Sequence, residues 1–275
     1  MIKITAKEFQ QLADFVRINY GLNLAEKESL IISRLHQILT KNNFNSFSEY
    51  YDYIAKDTTG EAVTILISKL TTNHSFFLRE REHFDFFQQH VLPSFSKKIL
   101  SRNLGIWSAG CATGEEPYTL AMIIDDFFGP AKLYWDTQIL ATDISKLALE
   151  TAITGIYTHD QLDSLPEKWR NNYFHQIGPD RSMICEQIKK EVIFRVFNLN
   201  NKVFPFKRKF HIIFCRNVMI YFDPVARKEL IHKFYQFTEP GGYLFIGQSE
   251  SLRFDETKFQ YVMPAVYRKE GQDGA

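Results

Sequence analysis

The chain has 275 residues, of which 45% are hydrophobic and 24% are charged, proportions that are ordinary for a soluble globular protein. Its 33 basic and 32 acidic residues nearly cancel, so the charge balance gives no reason to expect a nucleic acid or an anionic membrane as partner. No apolar run approaches the roughly eighteen residues of a membrane span, and the N-terminus has no signal-peptide pattern, which argues against membrane insertion and for the cytoplasm. Length alone predicts one large domain or two modest ones.

The first 90 residues have the patterns of helices only. Thr5 and Glu8 form a capping box that opens a first helix, and Gly21 is placed to end it. Apolar side chains at helical spacing predict further helices over residues 25–39, from Ser46 onward, over 60–70 and over 80–92, the last ended by Pro93. Residues 1–90 are therefore predicted to form an all-helical N-terminal domain with a linker helix.

From Leu104 onward, strands alternate with helices, which predicts an α/β domain over residues 91–275 with a doubly wound, mostly parallel sheet. The predicted strands are 104–110, 138–143, 210–215, 243–247 and 265–268, and the predicted helices are 117–128, 145–155 and one that begins at Asp223 and Pro224.

Between Ile156 and Lys190 this alternation stops, in a polar stretch that contains Pro166 and a Gly178-Pro179 turn. The stretch could be a linker, but thirty or so structureless residues are unusual inside a compact domain. We therefore favour a small inserted subdomain at about 156–195.

Three cysteines, Cys111, Cys185 and Cys215, stand at spacings unlike those of metal sites. We expect buried free thiols in a reducing compartment, and we predict no metal centre.

Ligands of open α/β sheets bind at the carboxyl ends of the strands. The turn Ser108–Pro117 lies at such an end, with Gly110 and Gly114 allowing close approach of a ligand to the backbone. The turn lacks both the dinucleotide fingerprint and the lysine of a phosphate loop. Glu115 and Glu116 suit a cofactor with a positive end, such as an amino group or a sulfonium. A plain tight turn is the alternative interpretation.

Two further charged groups follow predicted strands. Asp143 could accept both hydroxyls of a ribose, or could merely serve the N-terminus of the helix capped by Ser145. Arg216 follows the apolar strand 210–215 and needs a carboxylate or water, so it is either a site residue or part of a structural salt bridge.

A fourth cluster, Thr71–Glu80, precedes the sheet domain. Asn73 and Ser75 ahead of two phenylalanines would by default be a helix cap with its hydrophobic contact. His74 has no neighbour at metal-ligand spacing and is interpreted as structural.

Together these segments resemble the CheR family of chemotaxis receptor methyltransferases. The matching segments are 71–79, 107–118, 141–144, 197–199, 214–223 and 241–251, in family order over nearly the whole chain. The runs Gly114–Tyr118 and Phe214–Asp223 are highly specific.

The resemblance implies a class I methyltransferase domain behind an all-helical N-terminal domain, with a small antiparallel β-subdomain at the inserted stretch. It implies S-adenosylmethionine as cofactor and methyl transfer to glutamate side chains in the cytoplasmic helical region of a chemoreceptor. The implied cofactor contacts are Asn73, Ser75, Arg79, Glu116 at the methionine portion, Asp143 at the ribose, Asn198 and Leu199 at the adenine, and Arg216 and Asn217 at the cleft floor. Arg79 and Tyr221 are the implied catalytic residues, with Tyr221 near the transferred methyl group.

Two features depart from the family pattern. Members of the family typically have an arginine-rich second helix that binds an acidic receptor helix, whereas residues 24–42 here hold only Lys27, Arg34 and Lys41 against Glu26 and Glu28. Residues 1–70 hold eight basic and eight acidic side chains, so we expect weak electrostatic steering toward a receptor. The loop at Gly178-Pro179 looks shorter than in members that bind a receptor's C-terminal peptide, and we predict that no pentapeptide tether is required.

Three alternatives belong to other classes. A class I methyltransferase for another protein or a small molecule would not be expected to share the cluster Asn73–Arg79. A cofactor-binding signalling module would be expected to have lost a site residue, and no matched position is lost. A nicotinamide enzyme would need the glycine fingerprint that is missing here.

Overall fold

The computed structural model describes residues 2–25, 27–71, 73–253 and 257–271, so that Glu26 and Thr72 of the segments above lie outside the described residues. The helices in the described ranges are α1 Ala6–Tyr20, α2 Glu28–Lys41, α3 Phe47–Lys56, α4 Glu61–Leu70, α5 Arg81–Phe86, α6 Leu92–Lys98, α7 Glu115–Phe128, α8 Lys146–Thr154, α9 His159–Leu162, α10 Glu167–Tyr173, α11 Glu186–Lys189 and α12 Pro224–Phe237. The strands there are β1 Ile106–Ala109, β2 Ile139–Asp143, β3 Ile156–Thr158, β4 Phe174–Gln176, β5 Arg181–Ile184, β6 Val192–Val196, β7 Phe210–Cys215, β8 Thr238–Ile246, β9 Gln260–Met263 and β10 Val266–Arg268.

Helices α1 to α4 form the N-terminal bundle. The predicted capping box is present, since Glu8 N–H donates to Thr5 Oγ1 at 3.3 Å and Thr5 N–H donates to Glu8 Oε2 at 2.8 Å. The other Glu8 oxygen accepts Ser48 N–H at 2.9 Å, so one carboxylate serves the starts of both α1 and α3. The apolar stripes of the four helices meet in a common core that contains Val16 and Leu35.

The linker helix does not end at Pro93, contrary to the sequence-based expectation. Helix α5 passes into a π-helical turn at Phe87–Val91, and α6 continues through the proline to Lys98. The π turn changes the hydrogen-bond register just before Pro93 and places the proline in the first turn of α6. Leu92 N–H donates to the carbonyl oxygen of Phe87, an i to i−5 bond, and this shift of register accommodates Pro93, which has no N–H to donate.

In the described residues a seven-stranded sheet has the order β6-β2-β1-β7-β8-β10-β9. Strands β6, β2, β1, β7 and β8 are parallel, and β10 pairs antiparallel with β8 and β9. The chain passes from β6 at one edge to β7 on the far side of β1, so the strand order reverses beside β1. The carboxyl ends of β1, β2 and β7 therefore border a crevice, which is where such sheets bind ligands.

Sequence reading missed two strands, β6 and β9. Both lie at edges of the sheet; β6 has one buried residue and β9 has none, so neither has the continuous buried apolar run of a central strand such as β7.

A second, antiparallel sheet of order β3-β5-β4 lies between α8 and β6. The stretch 156–195 that we assigned to the insert runs past this sheet, because residues 192–196 pair in parallel with β2 in the main sheet. A short connection over residues 177–180 joins β4 to β5, and Ile177 N–H donates to Arg181 O at 3.0 Å across it.

Helices cover both faces of the main sheet. Ile106 and Trp107, neighbours on β1, belong to different apolar clusters because successive side chains of a strand point to opposite faces. Trp107 packs against Phe234 of α12 with ring centroids 5.4 Å apart, and its indole N–H donates to Thr142 Oγ1 at 2.9 Å. The three cysteines are buried free thiols, as predicted. Within the described ranges, no helix is both long and apolar enough to cross a membrane.

Candidate active site

A cavity of about 370 Å³ opens at the crevice beside β1. It lies between the sheet, the segment that precedes α5, and the turn that connects α1 to α2. All ten site residues proposed from the sequence line it: Asn73, Ser75, Arg79, Glu116, Asp143, Asn198, Leu199, Arg216, Asn217 and Tyr221. The fold thus brings together residues from five segments that are far apart in the sequence.

The glycine turn after β1 forms one wall of the cavity. Gly110 has a φ of +87°, and a Cβ there would lie 2.4 Å from Val218 Cγ2, so any other residue would be strained and would have to displace the Val218 side chain. Of the two glutamates at the start of α7, Glu116 lines the cavity, whereas Glu115 is fully buried and accepts a hydrogen bond from Thr113 Oγ1. The sequence-based interpretation that both glutamates face the ligand is therefore wrong for Glu115.

Asp143 ends β2 with its side chain at the cavity. Its two carboxylate oxygens accept backbone N–H groups, Oδ2 from Ala112 at 2.8 Å and Oδ1 from Ser145 at 2.8 Å. Burial raises the pKa of Asp143, and the two N–H groups oppose that effect. By accepting the Ser145 N–H, Asp143 does support the N-terminus of α8, which was the alternative interpretation of this residue. Each carboxylate oxygen nevertheless keeps a lone pair for a ligand hydroxyl.

Arg216 forms the floor of the cavity, and its charge is neutralised by the protein. Nη1 donates to Glu116 Oε2 at 3.0 Å, and Nη2 donates to Glu80 Oε2 at 3.1 Å and to the carbonyl oxygen of Arg79. Nε donates to His83 Nδ1 at 3.1 Å. The arginine is thus both a lining residue and the centre of a buried salt-bridge network, so the two interpretations offered by the sequence are both realised.

Sequence reasoning missed three residues that support this floor through hydrogen bonds: Glu80, His83 and Glu250. Glu80 also accepts Asn217 Nδ2 at 3.2 Å, and Glu250 accepts Asn217 N–H at 3.0 Å. The need of a buried arginine for a carboxylate was a usable signal for Glu80, which follows Arg79 directly. Glu250 lies in a matched segment to which no role was assigned, and no sequence signal distinguished His83.

The segment Asn73–Arg79 forms another part of the cavity lining. Asn73 Nδ2 donates to Ser145 Oγ at 3.3 Å, which ties this segment to the start of α8. Arg79 donates one N–H to the carbonyl oxygen of His74 at 2.7 Å and lies near the ring of Phe76. Because a guanidinium has five N–H donors, this bond leaves Arg79 with capacity for a ligand.

The N-terminal bundle supplies the last wall. Asn198 Nδ2 donates to the carbonyl oxygen of Asn19 at 2.8 Å, at the end of α1. Asn23 N–H donates to the Tyr221 carbonyl oxygen at 2.7 Å, and the Lys27 ammonium lies 5.3 Å from the centre of the Tyr221 ring. The turn after α1 therefore contacts the cavity on two sides, at Asn198 and at Tyr221.

The composition of the cavity suits a cationic ligand with a ribose. Its volume lies within the range of about 300–1,000 Å³ that is typical of small-molecule sites. Asp143 offers acceptors at the end of β2, Gly110 leaves the backbone accessible, and the positive charge of Arg216 is balanced by two carboxylates.

Comparison with known proteins agrees with this geometry. The family model "CheR methyltransferase, all-alpha domain" matches residues 7–71, and the model "CheR methyltransferase, SAM binding domain" matches residues 73–267. This chain belongs to the CheR methyltransferase family. It is an S-adenosylmethionine-dependent methyltransferase with the class I fold, and S-adenosylmethionine is its cofactor.

Relatives from several bacteria are similar over almost the entire chain. The chemotaxis protein methyltransferase of Borreliella burgdorferi is 42% identical, over 98% of this chain and 96% of that protein. The chemotaxis protein methyltransferase Cher2 of Pseudomonas putida is 32% identical over 93% of this chain and 94% of that protein. The chemotaxis protein methyltransferase of Escherichia coli is 30% identical over 97% and 92% respectively. The CheR family resemblance inferred from the sequence motifs is thereby confirmed.

Proposed function

We propose that this CheR family member transfers the methyl group of S-adenosylmethionine to glutamate side-chain carboxylates in the cytoplasmic helical region of chemoreceptors, forming methyl esters. The observation that carries the proposal is the cavity itself. Arg79 and Tyr221, which suit a carboxylate substrate, line the same space as Glu116 and Asp143, which suit the cofactor.

The cofactor side of the cavity is assigned as follows. Asp143 receives the ribose hydroxyls, Asn198 and Leu199 flank the adenine, and Glu116 faces the methionine portion, while Asn73 and Ser75 make further cofactor contacts. When bound, S-adenosylmethionine supplies an electrophilic methyl group on its sulfonium. Glu116 and the carboxylates around it favour that positive charge, because unlike charges attract strongly where water is excluded.

The substrate side needs no general base, because a glutamate carboxylate is already ionised near pH 7. The protein has to orient the carboxylate and exclude the water that solvates it. We assign orientation to Arg79, whose planar guanidinium can donate two parallel hydrogen bonds to a carboxylate, and one further hydrogen bond to the Tyr221 hydroxyl.

Arg216 and Asn217 support this arrangement from the floor of the cavity. Because the hydrogen bonds of Arg216 go to Glu80, Glu116, His83 and a backbone carbonyl, we assign it to the organisation of the site rather than to direct ligation of the substrate.

Recognition of the receptor does not rest on a basic second helix in this proposal. Arg34 of α2 donates to the carbonyl oxygens of Lys69, Leu70 and Thr71, and so it serves the C-terminus of α4. Lys27 lies against the Tyr221 ring. The outward side chains of α2 include Ser33 and Gln37, which are polar and uncharged. The short β4–β5 connection supports the further proposal that no pentapeptide tether is required.

Transfer of labelled methyl from S-adenosylmethionine to cytoplasmic fragments of the organism's own chemoreceptors tests the proposed function. We expect label on the receptor fragment that is released by mild base, since carboxyl esters are base-labile. Label that survives base would show a different linkage, and absence of transfer to every receptor fragment would show a different substrate. Replacement of the candidate glutamates by alanine should abolish labelling.

The proposed role of Arg79 is tested by Arg79→Ala. We expect the transfer rate to fall by at least about tenfold, since a charge-assisted hydrogen bond contributes about 1.5–3 kcal/mol. Arg81→Ala is the matched control, because Arg81 is exposed and pairs only loosely with Asp85, at 3.7 Å. Unchanged cofactor affinity together with an unchanged rate in Arg79→Ala would remove Arg79 from the site.

A further inference from the structure

Glu250, in the segment that follows β8, does not line the cavity, yet its carboxylate contacts the loop that does. The side chain is buried, with the residue 9% exposed. Oε2 accepts the N–H of Gly247 at 2.6 Å and of Asn217 at 3.0 Å, and Oε1 accepts the N–H of Ile220 at 3.1 Å. One carboxylate therefore joins the loop after β7 to the loop after β8.

The loop after β7 needs such support. It contains a short 3-10 helix, Met219–Tyr221, and no side chain adjacent to this helix caps its N-terminus. The first N–H groups of a helix otherwise lack partners, which is costly in a buried position. Glu250 supplies the missing acceptor from 30 residues away. Asn217 has a φ of +58°, a left-handed conformation that asparagine adopts more readily than most other non-glycine residues.

Close packing leaves this loop little alternative space. A Cβ on Gly247 would lie 2.4 Å from Asn217 Nδ2, and a Cβ on Gly110 would lie 2.4 Å from Val218 Cγ2. The loop after β7 is thus confined between Gly110 and Gly247. Glu250 fixes the position of this loop by accepting the N–H groups of Asn217 and Ile220. Tyr221 follows Ile220 directly and lines the cavity.

We propose that Glu250 is a positioning residue for methyl transfer, which holds the segment Asn217–Tyr221 so that the Tyr221 hydroxyl reaches the substrate carboxylate. This proposal rests on the role of Tyr221 in the proposed function. Glu250 itself touches neither cofactor nor substrate, because it lies behind the cavity wall. Its effect on the reaction therefore passes through Tyr221, whereas Asp143 and the adenine side of the cavity are independent of it.

The variant Glu250→Gln tests the proposal, because it preserves the size of the side chain. Its amide oxygen can accept hydrogen bonds, but its NH2 group opposes the N–H of Ile220. We expect kcat for receptor fragments to fall at least about tenfold, while the calorimetric Kd for S-adenosylmethionine changes less than about threefold. The stoichiometry of S-adenosylmethionine binding in the same experiment gives the fraction of molecules that are folded and bind the cofactor. We express kcat per molecule of this fraction. Glu229→Gln, on the exposed face of α12, is the matched control and should change neither quantity.

A double-mutant cycle separates this proposal from the role of Tyr221. If Glu250 acts through Tyr221, the variant with both Glu250→Gln and Tyr221→Phe should be no slower than the slower single variant. If the kcat losses of the two single variants multiply in the double variant, the proposal is overturned. It is also overturned if the S-adenosylmethionine Kd of Glu250→Gln rises by the same factor as its kcat falls. Wild-type kcat in Glu250→Gln, with a slow Tyr221→Phe, overturns the Glu250 proposal and leaves the proposed function intact. Wild-type kcat in Tyr221→Phe instead refutes the role of Tyr221. If Glu250→Gln does not fold, Glu250→Asp replaces it, since the shorter side chain cannot reach both loops and the same split is expected.

Discussion

The N-terminal bundle and the methyltransferase domain place their charged side chains in different environments. In the bundle the charges balance over residues 1–70, and an ion pair such as Arg17–Asp14 has side chains that are 49% and 40% exposed. In the methyltransferase domain Arg216 is 3% exposed, and its partners Glu80 and Glu116 are 12% and 13% exposed. Exposed pairs contribute little to stability, whereas breaking a buried pair is costly. The net charge of the chain, which is near zero, therefore does not reveal which ion pairs contribute to stability.

The largest effect that this comparison predicts is that of Arg216→Met. The substitution leaves Glu80 and Glu116 buried without their cation, so we expect the free energy of unfolding to fall by about 3–5 kcal/mol. Arg17→Met, in the bundle, should change it by less than about 1 kcal/mol. Urea denaturation followed by circular dichroism measures both. Equal effects at the two positions would contradict the distinction between the regions.

His83 extends the comparison to pH. Burial, together with the neighbouring Arg216 guanidinium, lowers the pKa of His83 from 6.5 to about 4. Between pH 6.5 and about pH 4, His83 is therefore protonated in the unfolded chain but neutral in the folded protein. The free energy of unfolding falls as the pH falls through this window. The two pKa values correspond to a loss of about 3 kcal/mol at most.

The measurement is the free energy of unfolding of wild type and of His83→Gln between pH 7 and 4. As the pH falls, the free energy of unfolding of the wild type should decrease more than that of His83→Gln, since only the wild type has the neutral buried imidazole. A His36→Gln variant in the bundle serves as control. A difference that is constant with pH would show that His83 does not titrate as described.

Asp143 should affect binding more than stability. We expect Asp143→Asn to raise the Kd for S-adenosylmethionine by about 10- to 100-fold, because a hydrogen bond to a charged group contributes about 1.5–3 kcal/mol. Asp136→Asn is the matched control, since Asp136 precedes the same strand at its other end and is exposed. Calorimetry that gives wild-type affinity for Asp143→Asn would remove Asp143 from the cofactor site.

The smallest effect concerns the bundle. Because it carries no net charge, kcat/KM for receptor fragments should change by less than about threefold between 0.05 and about 0.3 M salt. Steady-state kinetics at several salt concentrations measure this. A decrease of tenfold or more would reveal an electrostatic contact with the receptor that the balanced charges of residues 1–70 conceal.

Much of the fold followed from local patterns. The capping box of Thr5 and Glu8, the Ser145 cap of α8 and the Asp223-Pro224 start of α12 are all as predicted, because each depends on residues within one turn of helix. Pro93 was misread, because the π-helical turn that accommodates it has no sequence signal. Edge strands β6 and β9 were missed for lack of a continuous apolar run.

The same division applies to the site. Motifs at the ends of β1, β2 and β7 identified Glu116, Asp143 and Arg216 as site candidates, since the carboxyl ends of parallel strands converge at one edge of the sheet, and the family resemblance added the other lining residues. Those motifs did not identify the partners of these residues. The sequence by itself determined the family, the cofactor and the lining residues. Only the tertiary structure decided that Arg216 is balanced by Glu116 and Glu80, which lie 100 and 136 residues away. Such pairing depends on packing between distant segments, and no local pattern specifies it.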